Sequence, residues 1–202
     1  MEPLYCEKTI EAYNKLANEK PENSGNYAPW ETFLIPYLKE GDHILDLGCG
    51  DGHYAQIFKR AGFKISAIDA AEELCKIASE KLGIHVRNLR FDQLADVEMY
   101  DAVWACCSLL HIPRRAMPDA FTRIATALKP VGYVYASFME GEEEGFRENY
   151  ATFMAAMTEE MMHKILYDIP TLSIIEVRRT PCIPMPEKQW IHFILEKGVH
   201  TK

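Results

Sequence analysis

The sequence predicts an α/β fold: a mostly parallel sheet with helices on both faces and one reversed strand in a C-terminal hairpin. Three observations carry this. Between residues 43 and 138, short apolar runs alternate with segments of helical period, the pattern of parallel strands joined by helical crossovers. The first run, Ile44-Leu45-Asp46-Leu47, leads into Gly48-Cys49-Gly50-Asp51-Gly52, a turn that lets backbone pass close to a ligand ahead of a helix N-terminus. Near the C-terminus, Leu172–Arg178 and Gln189–Leu195 are joined by a short Pro-rich segment. That segment has no room for a crossover helix, so the two strands pair antiparallel.

In chain order, Glu7–Glu19 places Ile10, Tyr13, Leu16 and Ala17 at helical spacing. Lys20–Pro29 is rich in Pro, Asn, Ser and Gly and reads as a loop. Pro29 opens a short helix through Trp30, Phe33 and Leu34 that Pro36 disturbs. His43–Leu47 is a buried strand, and Tyr54–Arg60 a helix stopped by Gly62. Phe63–Ile68 is the second strand, Glu72–Lys81 a helix ending near Gly83, and Ile84–Arg87 a short third strand. Tyr100–Cys106 is the fourth strand, Arg115–Leu128 a helix ended by Pro130, and Tyr133–Phe138 the fifth strand. Met139–Tyr150 reads as a flexible acidic loop. Met154, Met157, Met161 and Met162 read as the buried face of a following helix. Trp190 and His192 alternate on the last strand, share one face and suit core or edge packing.

With 202 residues, 48% of them apolar, the chain is sized for one domain with a sizeable core. A net charge of −8 makes it a poor partner for nucleic acid. The six cysteines form no Cys-x-x-Cys pair and no zinc spacing, so reduced thiols, a cytoplasmic setting and no metal are expected. The N-terminal residues do not read as a signal peptide, and no apolar run is long enough to span a bilayer, so no membrane partner is expected. Oligomeric state is not encoded in any pattern we find.

The chemistry concentrates around the glycines. Asp46, two residues ahead of Gly48, suits a ligand carrying positive charge and would repel a pyrophosphate. The dinucleotide fingerprint Gly-x-Gly-x-x-Gly would need glycine at position 53, where the chain has His53. An NAD-dependent oxidoreductase is therefore the weaker reading. Strand two runs into Asp69, about 20 residues beyond Gly48, the spacing at which a carboxylate accepts ribose hydroxyls. Asp69 also stands where it can cap the helix from Glu72. His111, in the loop past strand four, is the one well-placed base, and it equally suits packing of that loop. Tyr13 on the first helix can lie over a cation by its ring face, as can Trp30, or join the core. Arg147 and Tyr150 are candidate contacts for an anionic or aromatic substrate, or parts of a solvated turn.

Asp46, Gly48, Gly50 and Gly52 spell acid-x-Gly-x-Gly-x-Gly. In this the chain resembles the class I S-adenosylmethionine-dependent methyltransferases, over about Leu38 to Lys197. The resemblance implies a Rossmann-like seven-stranded sheet with one reversed strand. It also implies a single domain over residues 1–202, with residues 1–37 as an N-terminal helical lid and 38–197 as the core. S-adenosylmethionine is the implied cofactor and a small molecule the implied methyl acceptor, reached by in-line displacement. The nucleoside would be held by the glycine turn with Cys49, by Asp69 and Ala70, and by Asp92 on the adenine amino group with Gln93 flanking the ring. Backbone around Ala105 would lie beside the methionine portion. Relatives include tellurite-resistance methyltransferases, so a chalcogen or metalloid acceptor is one option. A scaffold that binds the cofactor without transferring is the alternative from another class. Relatives commonly have Lys-Pro-Gly-Gly before strand five, where this chain has Lys129-Pro130-Val131-Gly132, so the turn is expected to differ at Val131.

Overall fold

The computed structural model describes residues 6–19, 28–147, 151–183 and 185–198; Tyr150 and most of the Lys20–Pro29 loop lie outside them. The first helix, α1, spans Glu7–Glu19, and α2, Glu31–Leu34, continues as a short 3-10 turn, Ile35–Tyr37. Three strand–helix pairs and two further strands follow: β1 (His43–Leu47), α3 (His53–Arg60), β2 (Lys64–Asp69), α4 (Glu72–Leu82), β3 (Arg87–Asn88), β4 (Tyr100–Ala105), α5 (Met117–Ala127) and β5 (Leu128–Met139). The chain then forms β6 (Glu144–Arg147), β7 (Thr152–Ala155), α6 (Glu159–Leu166), β8 (Leu172–Pro181) and β9 (Gln189–Lys197).

Seven of these strands make one sheet of order β3-β2-β1-β4-β5-β9-β8. The β3, β2, β1, β4 and β5 pairings are parallel, and β9 runs antiparallel to both β5 and β8. The sheet is thus the predicted one, with β9 as its reversed strand. The strands leave β1 outward to β3, then return to its other side at β4, so the switch point lies between β1 and β4. Outside the carboxyl ends at such a point, a parallel sheet leaves a crevice for ligands.

Both faces of the sheet are covered, as the unbroken apolar strands require. Along β4, Val103 and Ala105 join the cluster that includes Leu45, Phe121 and Phe138. Ala102 and Trp104 face the other way, toward Phe58 and Tyr135. There Trp104 stacks on Tyr135 with ring centroids 3.8 Å apart. Among the described residues, no helix is long and apolar enough to cross a membrane.

The structure corrects several local expectations. β3 is confined to Arg87–Asn88, because Val86 and Ile84 turn into the cluster between α3 and α4 instead of extending the ladder. α5 starts at Met117, since Pro118 favours a first-turn position and Arg114–Ala116 form a separate 3-10 turn. The acidic segment after β5 is not a free loop: β6 pairs with β7 in a hairpin, Phe146 opposite Phe153. Met154 lies on β7, and Met157 donates its N–H to Met139 O at 3.0 Å, so neither is helical. The helix begins only after Thr158, whose Oγ1 accepts the Met161 N–H. The methionines had helical spacing by coincidence of a strand followed by a helix.

Val131 is the clearest local conflict. The turn keeps the conformation that a glycine would favour, with Val131 at φ +63° and its side chain 47% exposed. A β-branched residue held there costs roughly 1–3 kcal/mol, against about 0.5–1 kcal/mol of extra chain entropy lost by a glycine. Val131→Gly is therefore expected to stabilise the protein by about 1 kcal/mol and raise the melting temperature by roughly 2–4 °C in thermal unfolding. A lower melting temperature would contradict the strain.

Candidate active site

A cavity of about 1000 Å³ opens at the carboxyl ends of the strands. Of the residues selected from the sequence, Tyr13, Asp46, Gly48, Cys49, Gly50, Asp69, Ala70, Asp92 and His111 border it. Gly52, Gln93, Ala105 and Arg147 do not border it.

The glycine turn has two different reasons for its composition. Gly48, at φ +78°, approaches the β4 side so closely that a Cβ would come 2.5 Å from Ser108 Cβ. Gly50, at φ +55°, has nothing within 4 Å of where its Cβ would stand. Gly50 is therefore the glycine that leaves room for a ligand, while Gly48 serves protein packing. Gly52 caps α3 in the left-handed region and packs toward Ala78 and Leu82 on α4.

Two acids flank this turn, Asp46 buried and Asp69 half-buried. Asp46 Oδ2 accepts the Ala55 N–H at 3.1 Å near the start of α3. Burial pushes its carboxyl up to about 8, despite that hydrogen bond. Asp69 ties the turn to β2: Oδ2 accepts Gly50 N–H at 2.9 Å and Oδ1 accepts Ala71 N–H at 2.8 Å. Its carboxyl is also raised by burial, with the backbone donors opposing. The Ala70 N–H is a third backbone donor to this carboxylate. The N-cap position of α4 is Ala71, whose side chain offers no cap. Asn14 of α1 fills that need by accepting the Glu73 N–H at 3.0 Å.

Asp92 sits on the 3-10 turn Phe91–Gln93 beside Arg90 Nε, 3.1 Å away. Gln93, expected to flank the ligand, turns back and accepts the Arg90 N–H at 2.9 Å. Phe91, the residue before the acid, borders the cavity in its place. Ala105 is wholly buried, and the wall beyond it is formed by Cys106, Cys107 and Ser108. Cys107 adopts φ +51° and donates its N–H to Ser137 Oγ at 2.9 Å, bending the end of β4 toward the cavity. Cys49 is buried, its thiol 3.6 Å from Gly50 O, and burial pushes it up, which fits a packing role.

Tyr13 and His111 form one unit. Tyr13 Oη and His111 Nε2 are 2.8 Å apart, and His111 Nδ1 lies 2.8 Å from Phe153 O. A carbonyl only accepts, so Nδ1 carries the proton and Nε2 receives the Tyr13 hydroxyl. Burial lowers His111 to about 4 and pushes Tyr13 up to about 12, so both are neutral. Both ring nitrogens are thus engaged in the ligand-free protein. Thr9 adds a third tie for α1, its Oγ1 accepting Phe153 N–H at 2.8 Å. Arg147 lies on β6 with Nη1 2.8 Å from Met154 Sδ, away from the cavity wall. The Tyr150 expectation falls outside the described residues.

Sequence reasoning missed Ser108, Phe91 and Trp104. Ser108 Oγ and Trp104 Nε1 are buried without a partner among the described residues, and both residues border the cavity. The signal for Trp104 was present in strand alternation, which puts it on the face of Cys106. Ser108 had no signal, because its position depends on how closely Gly48 approaches.

Two measurements follow. A carboxyl raised by burial stabilises the fold fully below its unfolded value, and that contribution is lost as pH climbs through about 8. Without ligand, Asp46→Asn should melt above the parent near ~pH 9 and lose the advantage below ~pH 4, where the unperturbed carboxylate pKa of about 3.9 makes both side chains neutral. Tyr13→Phe leaves His111 Nε2 buried and unpaired and should cost about 1–3 kcal/mol in denaturant unfolding.

Residues 44–132 match the family described as a methyltransferase domain. The chain is 28% identical over 160 residues to a ubiquinone biosynthesis O-methyltransferase of Hydrogenovibrio crunogenus, covering 72% of this chain and 63% of that protein. It is 33% identical over 137 residues to the Xanthomonas axonopodis pv. citri protein of the same name, covering 63% of this chain and 56% of that one. The chain thus spans less than two thirds of the length of these curated relatives. In fold it is similar to the Burkholderia thailandensis 1,6-didemethyltoxoflavin-N1-methyltransferase, solved with 1,6-didemethyltoxoflavin and S-adenosylhomocysteine. That likeness has a TM-score of 0.79 at 18% identity, over 98% of this chain and 93% of that one. Magnesium protoporphyrin IX methyltransferase of Synechocystis PCC 6803, solved with S-adenosylmethionine, gives 0.73 at 15% identity over 98% and 100%. The acid–glycine turn lies inside the segment that matches the methyltransferase domain, and in fold the chain is similar to these solved methyltransferases.

Proposed function

We propose that this protein transfers a methyl group from S-adenosylmethionine to a small-molecule acceptor, with residues 1–202 acting as a single domain. The observation that carries the reading is the space at Gly50, framed by the buried carboxyl of Asp46 and the half-buried one of Asp69. A cationic nucleoside suits that frame. Its positive charge would offset the desolvation of Asp46, and a sugar hydroxyl would donate to the Asp69 carboxylate. Asp92 would take the adenine amino group, with Phe91 at the ring. Ser108 Oγ, buried and unpartnered, offers a further polar contact. The backbone of Gly48 to Gly50, with Cys49, Ala70 and the end of β4 near Ala105, would complete the wall.

When bound, S-adenosylmethionine supplies an already activated methyl group. The protein's share is alignment and exclusion of water, which can supply roughly 7–11 kcal/mol. α1 serves as the lid: Thr9, Tyr13 and Asn14 fasten it to β7, to the loop after β4 and to α4. Any proton taken by His111 would pass through the Tyr13 hydroxyl, because Tyr13 fills Nε2.

Calorimetry with S-adenosylhomocysteine and with NAD tests the reading. Binding of the former and none of the latter is expected. Gly50→Ala meets no atom within 4 Å and costs only roughly 1–2 kcal/mol of backbone strain at φ +55°, so it should keep the fold yet weaken S-adenosylhomocysteine at least tenfold, or about 1.4 kcal/mol. Unchanged affinity in Gly50→Ala would place the nucleoside elsewhere. Binding without turnover across a broad acceptor screen would favour the scaffold alternative.

A further inference from the structure

The cavity continues beyond β4 into a half that differs in kind from the first. The sheet order sets Asp92, Asp69 and Asp46 toward the β3 side of its carboxyl edge. At the other side Trp190 stands opposite Met139 at the end of β5, and Thr180 opposite Trp190. Trp30, Phe33, Tyr54, Trp104, Thr180 and Trp190 border this second half. Every Asp and Arg on the cavity wall among the described residues comes from β1, β2, the turns after β1 and β3, or α5. None comes from the aromatic half.

The aromatic walls are fixed by one another. Trp30 meets Trp190 edge-on at 5.5 Å and His192 at 4.8 Å. Trp104 is clamped between Tyr135 at 3.8 Å and Tyr54 at 5.0 Å. His192 stands between the Tyr135 and Thr180 hydroxyls, each 2.8 Å away, and burial keeps it neutral. In this wall the Trp104 side chain is wholly buried, yet its indole N–H has no acceptor. Buried donors are almost always paired, so an unpaired one on a cavity wall points to a ligand atom.

Resting on the methyltransferase reading of the first half, we propose that this half is the acceptor subsite and takes an uncharged, planar heteroaromatic molecule. A ring nitrogen or carbonyl oxygen of that molecule accepts the Trp104 N–H. An anion would be desolvated here with no cation to meet it and carboxylates at the far end. A quaternary ring cation such as N-methylquinolinium would find aromatic faces, but it carries no acceptor for Trp104. Flat neutral rings satisfy both the stacking surfaces and the lone donor.

The test is calorimetry on protein saturated with S-adenosylhomocysteine, using quinoxaline and quinazolin-4-one, quinoxaline-2-carboxylate, and N-methylquinolinium. The neutral rings are expected to bind, with the carboxylate and the quinolinium at least tenfold weaker. Trp104→Phe, which keeps the stack and removes the N–H, should weaken the neutral rings at least fivefold, as should Trp190→Leu. The S-adenosylhomocysteine titration of each variant reports whether the first half is intact. The inference is overturned if a charged ring binds as tightly as its neutral counterpart, or if no neutral ring binds. It is overturned equally if both variants bind the neutral rings as the parent does. If S-adenosylhomocysteine itself fails to bind the parent, the methyltransferase reading falls and this inference with it.

Discussion

A carboxylate placed where water cannot reach it governs this molecule. Asp46 ends up inside because β1 is buried on both faces and its side chain points toward the start of α3. One backbone donor does not repay the loss of solvent, so the group is held well above the ordinary carboxylate range. Around it at the switch point stand a turn in left-handed conformations, a second acid bracing that turn, and a helix docked at once behind it. The unliganded site is thus less stable than it would be with a neutral side chain, a common cost of a pre-formed binding site.

From that centre the cavity runs in two directions with opposite electrical character. Toward β3 it is lined by acids, toward β8 by aromatic rings, and the end of β4 with its two cysteines lies between. α1 crosses over this junction through polar contacts to three separate elements. Because Tyr13 spends its hydroxyl proton on His111, and His111 spends its own on a carbonyl, the clasp is a chain of neutral groups oriented in one direction. Such a chain holds geometry without introducing charge beside a site that already contains two acids.

Much of this was legible in the residues. The alternation of runs and the Pro-rich connection gave the sheet and its reversed strand, because parallel strands and crossovers leave strong local patterns. Asp46, Gly48, Gly50 and Asp69 were legible because a turn and a strand end fix them within a short span of chain. What escaped depends on contacts distant in sequence. Gln93 and Phe91 exchanged places because a 3-10 turn closes on its own side chain. The β6–β7 hairpin was hidden by methionines whose spacing also fits a helix. Val131 shows the reverse case, in which the sequence argues against a conformation that neighbouring strands impose. His111 was identified by position, but its partners come from residues 98 positions before it and 42 after it.

The position of β9 has a consequence for how the chain comes into being. β8 is made first, yet its only neighbour in the sheet is β9, which slots between it and β5. While the polypeptide is emerging from the ribosome, β8 therefore has no edge to pair with, and β5 keeps an open one. The sheet closes only after residues 189–197 are released, in a late step that joins segments far apart in the chain. Until then the nascent molecule carries two unpaired strand edges, and the charged Glu176, Arg178 and Arg179 on β8 disfavour pairing of that edge with other chains.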